Sequence, residues 1–202
     1  LSKDFDKIIV NINNDIIGSK KTLNVLSKTF KFNFKIKDLQ KFKKYQNIVL
    51  IGMGGSILGA EAINNFLEKK IKKNIYFFDY INSKKILNFK KKKDLNKTLF
   101  FIISKSGNTV ETLSNFFSLG IIKKNSKNII LISENNNNNL LFTLSKKFNL
   151  FYIEHKNYIG GRYSVLSEVG LIPAYLMGVN IVKLRSNINK FLSGKEKLFL
   201  QD

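Results

Sequence analysis

The chain contains no cysteine, one histidine and one proline. Without thiols, neither a disulfide nor a thiolate metal site can form. A lone imidazole, His155, does not make a histidine-based zinc site, so no metal is expected. No apolar run reaches the roughly 18 residues that a membrane-crossing helix needs. The first residues, LSKDFDKIIVNINND, lack the apolar core of a secretory signal. These absences lead us to expect a soluble, cytoplasmic protein with no membrane partner.

Arginine is scarce as well. Only Arg162 and Arg185 stand among 35 basic residues, and just 14 acidic residues oppose them, giving a formal charge of +21. Sites that read nucleic-acid bases lean on arginine for its planar, bidentate fork. Here the surplus is carried by lysines scattered along the chain, which read as solvated surface. No specific nucleic-acid partner is expected, although a diffuse positive field attracts small anions.

The hydrophobic share of 44% in 202 residues suffices for one sizeable core. Residues 1–45 are rich in lysine and asparagine, with apolar spacing that suggests helices. From Gln46 onward, continuous apolar runs recur: Ile48–Ile51, Ile75–Phe78, Leu99–Ile103, Ile129–Ile132 and Leu150–Ile153. Continuous rather than alternating runs suit strands buried on both faces. Stripes of helical spacing lie between them: Ile57, Ala60, Ile63 and Leu67; Leu113, Phe116, Phe117 and Ile121; Leu140, Leu141, Leu144 and Phe148. This alternation predicts an α/β fold, a five-stranded parallel sheet with helices on both faces, in a flavodoxin-like three-layer sandwich. The polar run Asn135–Asn139 reads as a loop and helix cap. Ala174–Met177 is apolar all round and should be buried, and Pro173 is expected at a helix start. Residues 183–202 turn polar and read as a solvent-facing helix.

Three motifs carry chemistry. The first, Gly52-Met53-Gly54-Gly55-Ser56, follows the first apolar run. Its glycines let a ligand approach the backbone, and Ser56 is placed to cap the next helix. The spacing departs from a dinucleotide fingerprint, although Asp79 ends the second run where a ribose-binding acid would sit. The second motif, Ser104-Lys105-Ser106-Gly107-Asn108-Thr109, follows the third run and precedes a helical stripe. It is not a Walker loop. Hydroxyls and unpaired N–H groups at a helix start suit an anion such as a phosphate monoester, and a plain serine-rich cap is the alternative. The third motif, Gly160-Gly161-Arg162-Tyr163-Ser164, places a guanidinium where a developing oxyanion could be stabilised; anchoring of a structural carboxylate is the alternative.

Together, IGMGGSILG, SKSGNTVET and GGRYSVLSEVGL resemble the first sugar-isomerase (SIS) domain of the phosphoglucose isomerase family, over about Asn47 to Asn180. The resemblance implies interconversion of glucose 6-phosphate and fructose 6-phosphate through a cis-enediolate, without a cofactor. It implies that Ser104, Lys105, Ser106 and Thr109 hold the substrate phosphate, and that Gly55, Ser56 and Gly161 line the sugar site. Arg162 would stabilise the enediolate. Glu111 would orient Arg162 or the phosphate loop, unless it is only a first-turn acid. Family members are typically dimers, so a homodimer is expected. The division implied is an N-terminal extension (1–45), an SIS domain (46–154), and an arginine motif with helices leading toward a second domain (155–202). The glutamate base, ring-opening histidine and C-terminal lysine of the family have no motif here. The expectation is therefore an N-terminal portion incomplete for catalysis. A non-catalytic sugar-phosphate sensor and a bifunctional phosphoglucose/phosphomannose isomerase remain alternatives.

Overall fold

The computed structural model describes residues 2–186 and residue 188. The apolar runs become β1 (Asn47–Gly52), β2 (Asn74–Phe78), β3 (Thr98–Ile103), β4 (Ile129–Ser133) and β5 (Phe151–Glu154). They form one parallel sheet in the order β2-β1-β3-β4-β5. Its helices are α1 (Ser2–Ile17), α2 (Ile36–Leu39), α3 (Leu58–Phe66), α4 (Ser83–Lys92), α5 (Val110–Leu119), α6 (Leu140–Phe148), α7 (Glu168–Met177) and α8 (Ile181–Ser186). Most of the stretch expected as a polar terminal helix lies outside the described residues.

Burial on both faces explains the continuous apolar strands. Ile48 and Leu50 of β1 join Leu99, Phe101 and Ile103 of β3 in a core covered by residues of α2, α3 and α7. The alternate residues Val49, Ile51, Phe100 and Ile102 face the opposite core, with Ile86, Phe116 and Leu141 of α4, α5 and α6. Successive side chains of a strand point to opposite faces, so a strand sandwiched between helix layers must be apolar at every position. The three-layer expectation holds. Leu39, Phe42 and Tyr45, which precede β1, belong to the first of these cores.

One helix carried no periodic signal, and three local readings are corrected. No apolar stripe marks α4, whose buried contacts are only Ile86 and Phe89 on an otherwise lysine-rich helix. Phe117 and Leu140, counted in apolar stripes, are 47% and 38% exposed. In α5 the buried side is Thr112, Asn115, Phe116 and Leu119, so the residue after Phe116 turns outward by about a quarter turn. Pro173 lies inside α7 rather than at its start, where it removes the N–H that would reach back to Val169. That penalty, about 3 kcal/mol in an exposed helix, is opposed here by burial, since Ile172, Pro173, Leu176 and Met177 are all buried. Finally, Ser56 ends a 3-10 turn (Gly54–Ser56) and caps nothing; Ile57 occupies the cap position of α3.

Candidate functional site

In a sheet of this strand order, β1 and β3 are neighbours whose connections leave toward opposite faces. The crevice beyond their carboxyl ends is the usual ligand site of such folds. Gly52 pairs with Ile103 at the ends of the two strands. The loops that follow them therefore start side by side, and they are the first two motifs of the sequence.

The loop after β3 is built so that its donors stay unspent. Thr109 holds the cap position of α5 yet makes no side-chain cap bond. Its Oγ1 instead meets Ser104 Oγ at 2.9 Å, and Ser104 Oγ also accepts from Gly107 N at 3.1 Å. Ser106 Oγ accepts from Asn108 N at 3.3 Å. Among the described residues, the N–H groups of Ser106 and of residues 109–112 have no acceptor; the first backbone bond of the helix is Leu113 N to Thr109 O. These orphaned amides sit at the positive end of the helix dipole and can receive an anion. Ser104 is buried, Thr109 half-buried and Ser106 exposed, so the loop opens on one side.

The Lys105 ammonium is engaged by other segments. Its Nζ donates to Asn157 O at 2.6 Å and lies 3.5 Å from Glu134 Oε1. The ammonium thus bridges the ends of β4 and β5.

The third motif is brought against the first. A Cβ on Gly55 would collide with the Gly161 backbone, so only glycine permits this approach. Ser164 Oγ closes the junction, 3.0 Å from Gly55 O and 2.7 Å from Gly161 O. Gly161–Leu166 forms a 3-10 turn that exposes Arg162. Among the described residues no carboxylate lies within salt-bridge distance of Arg162, so it anchors no structural carboxylate among them. Glu111, in the first turn of α5, likewise has no hydrogen-bond or ion-pair partner among the described residues. Ser56 is half-buried and its hydroxyl has no partner there either. All three sequence motifs therefore gather at one edge of the sheet.

Several residues near this edge carry chemistry that the motifs did not mark. His155 directly follows β5 and is buried rather than on the surface. Burial, helped by Lys105 and Lys156, lowers its pKa to about 4, so it is neutral at pH 7. Its Nε2 meets Ile159 O at 3.1 Å and its Nδ1 has no partner. Glu168, at the start of α7, is wholly buried, which raises its pKa. One oxygen accepts from Asn33 N at 2.9 Å and the other has no partner. Asn108 and Asn139 tie the β3 loop to the β4–α6 connection. Their residue type is too common in this chain to stand out. Among the described residues no three His, Cys, Asp or Glu side chains gather in a way that could hold a metal ion. No described helix is long and apolar enough to cross a membrane.

Several known proteins resemble this chain. A glucose-6-phosphate isomerase of Methanocaldococcus jannaschii is 41% identical over 153 residues, covering 73% of this chain and 37% of that protein. A probable glucose-6-phosphate isomerase of Methanococcus maripaludis is 40% identical over 150 residues, covering 70% of this chain and 34% of that protein. The chain thus spans about a third of the length of these curated relatives. A hypothetical protein of Thermus thermophilus shares the fold with a TM-score of 0.77 at 20% identity, over 97% of this chain and 50% of the other. The phosphoglucose isomerase family profile matches residues 6–198, and the chain belongs to that family.

Proposed function

We propose that this chain forms the phosphate-holding and enediolate-stabilising part of an aldose–ketose isomerase acting on glucose 6-phosphate and fructose 6-phosphate. The carrying observation is the loop after β3. Among the described residues, the N–H groups of Ser106 and of residues 109–112 find no acceptor there, at a helix start whose cap hydroxyl is turned to Ser104. A phosphate dianion supplies the acceptors these groups lack. Ser104, Ser106 and Thr109 offer hydroxyls and amides. Lys105 contributes its positive charge, and its ammonium must exchange Glu134 for phosphate to touch the ligand directly.

With the phosphate held at that end, the sugar extends toward Gly55, Ser56 and Gly161. Removal of the proton next to the carbonyl leaves negative charge on two oxygens of a cis-enediolate. A guanidinium with no carboxylate partner can stabilise that charge as it forms. Arg162 has that role, and Glu111 orients the phosphate loop. The base that carries the proton is assigned to the length of the relatives that this chain does not span. Residues 46–154 act as the SIS domain, 1–45 as an extension, and 155–202 lead toward a second domain. The working unit is a cytoplasmic homodimer.

The test has two arms. Isomerase activity is measured on this chain and on a version joined to the remaining length found in the relatives. Turnover by the joined version alone supports the reading. Binding of fructose 6-phosphate without turnover in either would support a sensor instead.

A further inference from the structure

The Ser104–Thr109 loop is not shaped by its own bonds alone. Asn139 is completely buried beside it. Its Oδ1 accepts from Phe142 N at 3.0 Å, which caps α6, and lies 3.3 Å from Ser133 Oγ. Its Nδ2 donates to Glu134 O at 2.8 Å and reaches Lys105 O at 3.5 Å. The same carboxamide lies against Gly107, where any Cβ would overlap it. Gly107 also has φ +71°, a left-handed conformation in which side chains are disfavoured. Asn108 completes the seam. Its Nδ2 donates to Asn138 O at 2.7 Å, and its Oδ1 accepts from Leu140 N at 2.9 Å. Two asparagines on different segments thus stitch the anion-receiving loop to the connection between β4 and α6.

We infer that Asn139 and Asn108 are positioning residues that hold the Ser104–Thr109 loop in its phosphate-receiving shape; this rests on the phosphate reading above. Asn139 spends its carboxamide oxygen and both of its N–H groups within the protein. Asn108 spends its oxygen and one of its two N–H groups on the neighbouring segment. Their effect is preorganisation: the loop amides converge before the anion arrives, so binding does not have to order them.

The experiment uses the full chain with inorganic phosphate and fructose 6-phosphate as probes. Affinity is measured by calorimetry, and loop geometry by the Gly107 amide resonance. Asn139→Ser keeps a hydroxyl at the helix cap while removing the packing on Gly107 and the reach to Lys105. Asn108→Ala cuts the second seam, and Asn108→Asp restores only the acceptor for Leu140 N. Asn82→Ala serves as a control, since Asn82 caps α4 away from the loop. Asn139→Ser should weaken phosphate binding about tenfold, the loss of roughly one hydrogen bond's contribution. Asn108→Ala should weaken it several-fold, with partial recovery in Asn108→Asp. The Gly107 resonance should move in both seam variants even without ligand. Asn82→Ala should lower stability and leave affinity unchanged. Parent-like affinity in Asn139→Ser and Asn108→Ala, with binding lost in Thr109→Ala, would overturn the inference and leave the phosphate reading standing. No phosphate binding by the parent chain would overturn both.

Discussion

The helices that start after β1 and β3 differ from those that follow β2, β4 and β5. Asn82, Asn139 and Ser167 cap α4, α6 and α7 with side-chain bonds to Lys85 N, Phe142 N and Val169 N. The cap residues of α3 and α5, Ile57 and Thr109, make none. Capped starts spend their amides on the protein's own stability; uncapped starts leave them for something else. The two arginines repeat the contrast. Arg185 donates to Leu166 O at 2.8 Å and Ser27 O at 3.1 Å, and lies over the Phe32 ring at 5.0 Å. Arg162 is exposed, with no carboxylate beside it among the described residues. The uncapped starts of α3 and α5 and the exposed Arg162 belong to the three motifs, while the capped starts and Arg185 serve the fold itself.

Exchanging effects between the arginines would break this contrast most sharply. Arg162→Ala should leave the melting temperature in place. In a version joined to the remaining family length it should lower kcat by about 10² to 10³, as removal of an oxyanion donor does. Arg185→Ala should cost roughly 2–3 kcal/mol in urea unfolding, from two charged hydrogen bonds and a cation–π contact. A large stability loss in Arg162→Ala would make it a structural arginine after all.

A buried titration comes next in size. The folded pKa of His155 lies near 4, below its ordinary 6.5. Between those values the unfolded chain binds a proton that the folded chain refuses. Stability present above pH 6.5 should therefore be lost as pH falls toward 4, by about 3 kcal/mol from this residue. Urea unfolding of the parent and of His155→Gln at several pH values measures the difference in slope; identical slopes would contradict the burial. Glu168 acts in the opposite sense. Its raised folded pKa makes its contribution fullest below 4.5 and smaller as pH rises through the folded value.

Gly107→Ala should destabilise by about 1–3 kcal/mol, because it forces a side chain into a left-handed position already occupied by Asn139. It should abolish phosphate binding, read by calorimetry on a sample whose circular dichroism shows it folded. The smallest pair separates capped from uncapped starts directly. Asn82→Ala should cost about 1 kcal/mol, the usual loss of a cap. Thr109→Ala should cost only a few tenths, within the range of neutral surface changes, while phosphate affinity falls. Equal losses of stability in the two would show that Thr109 does cap its helix in solution.

Strands and core were legible because burial on both sheet faces imposes a continuous apolar run, as in Leu99–Ile103. The three motifs were legible because glycine and hydroxyl residues cluster where chain meets ligand. Helix α4 was hidden, since two buried residues among lysines make no periodic signal. Pro173 misled because complete burial of α7 outweighs the rule for isolated helices. Ser56 misled because an intervening 3-10 turn shifts the start of α3 beyond its reach. The seam through Asn139 was invisible because 34 residues separate it from Lys105 along the chain.

Residue order by itself determined which segments become buried strands and which junctions hold glycines, hydroxyls and a rare arginine, since these follow from local periodicity and side-chain type. Only the tertiary structure decided that Gly55 meets Gly161, that Asn139 rests on Gly107, and that His155 is shut away from water. Such contacts join residues distant in the chain. They depend on strand order and helix placement, which no local pattern encodes.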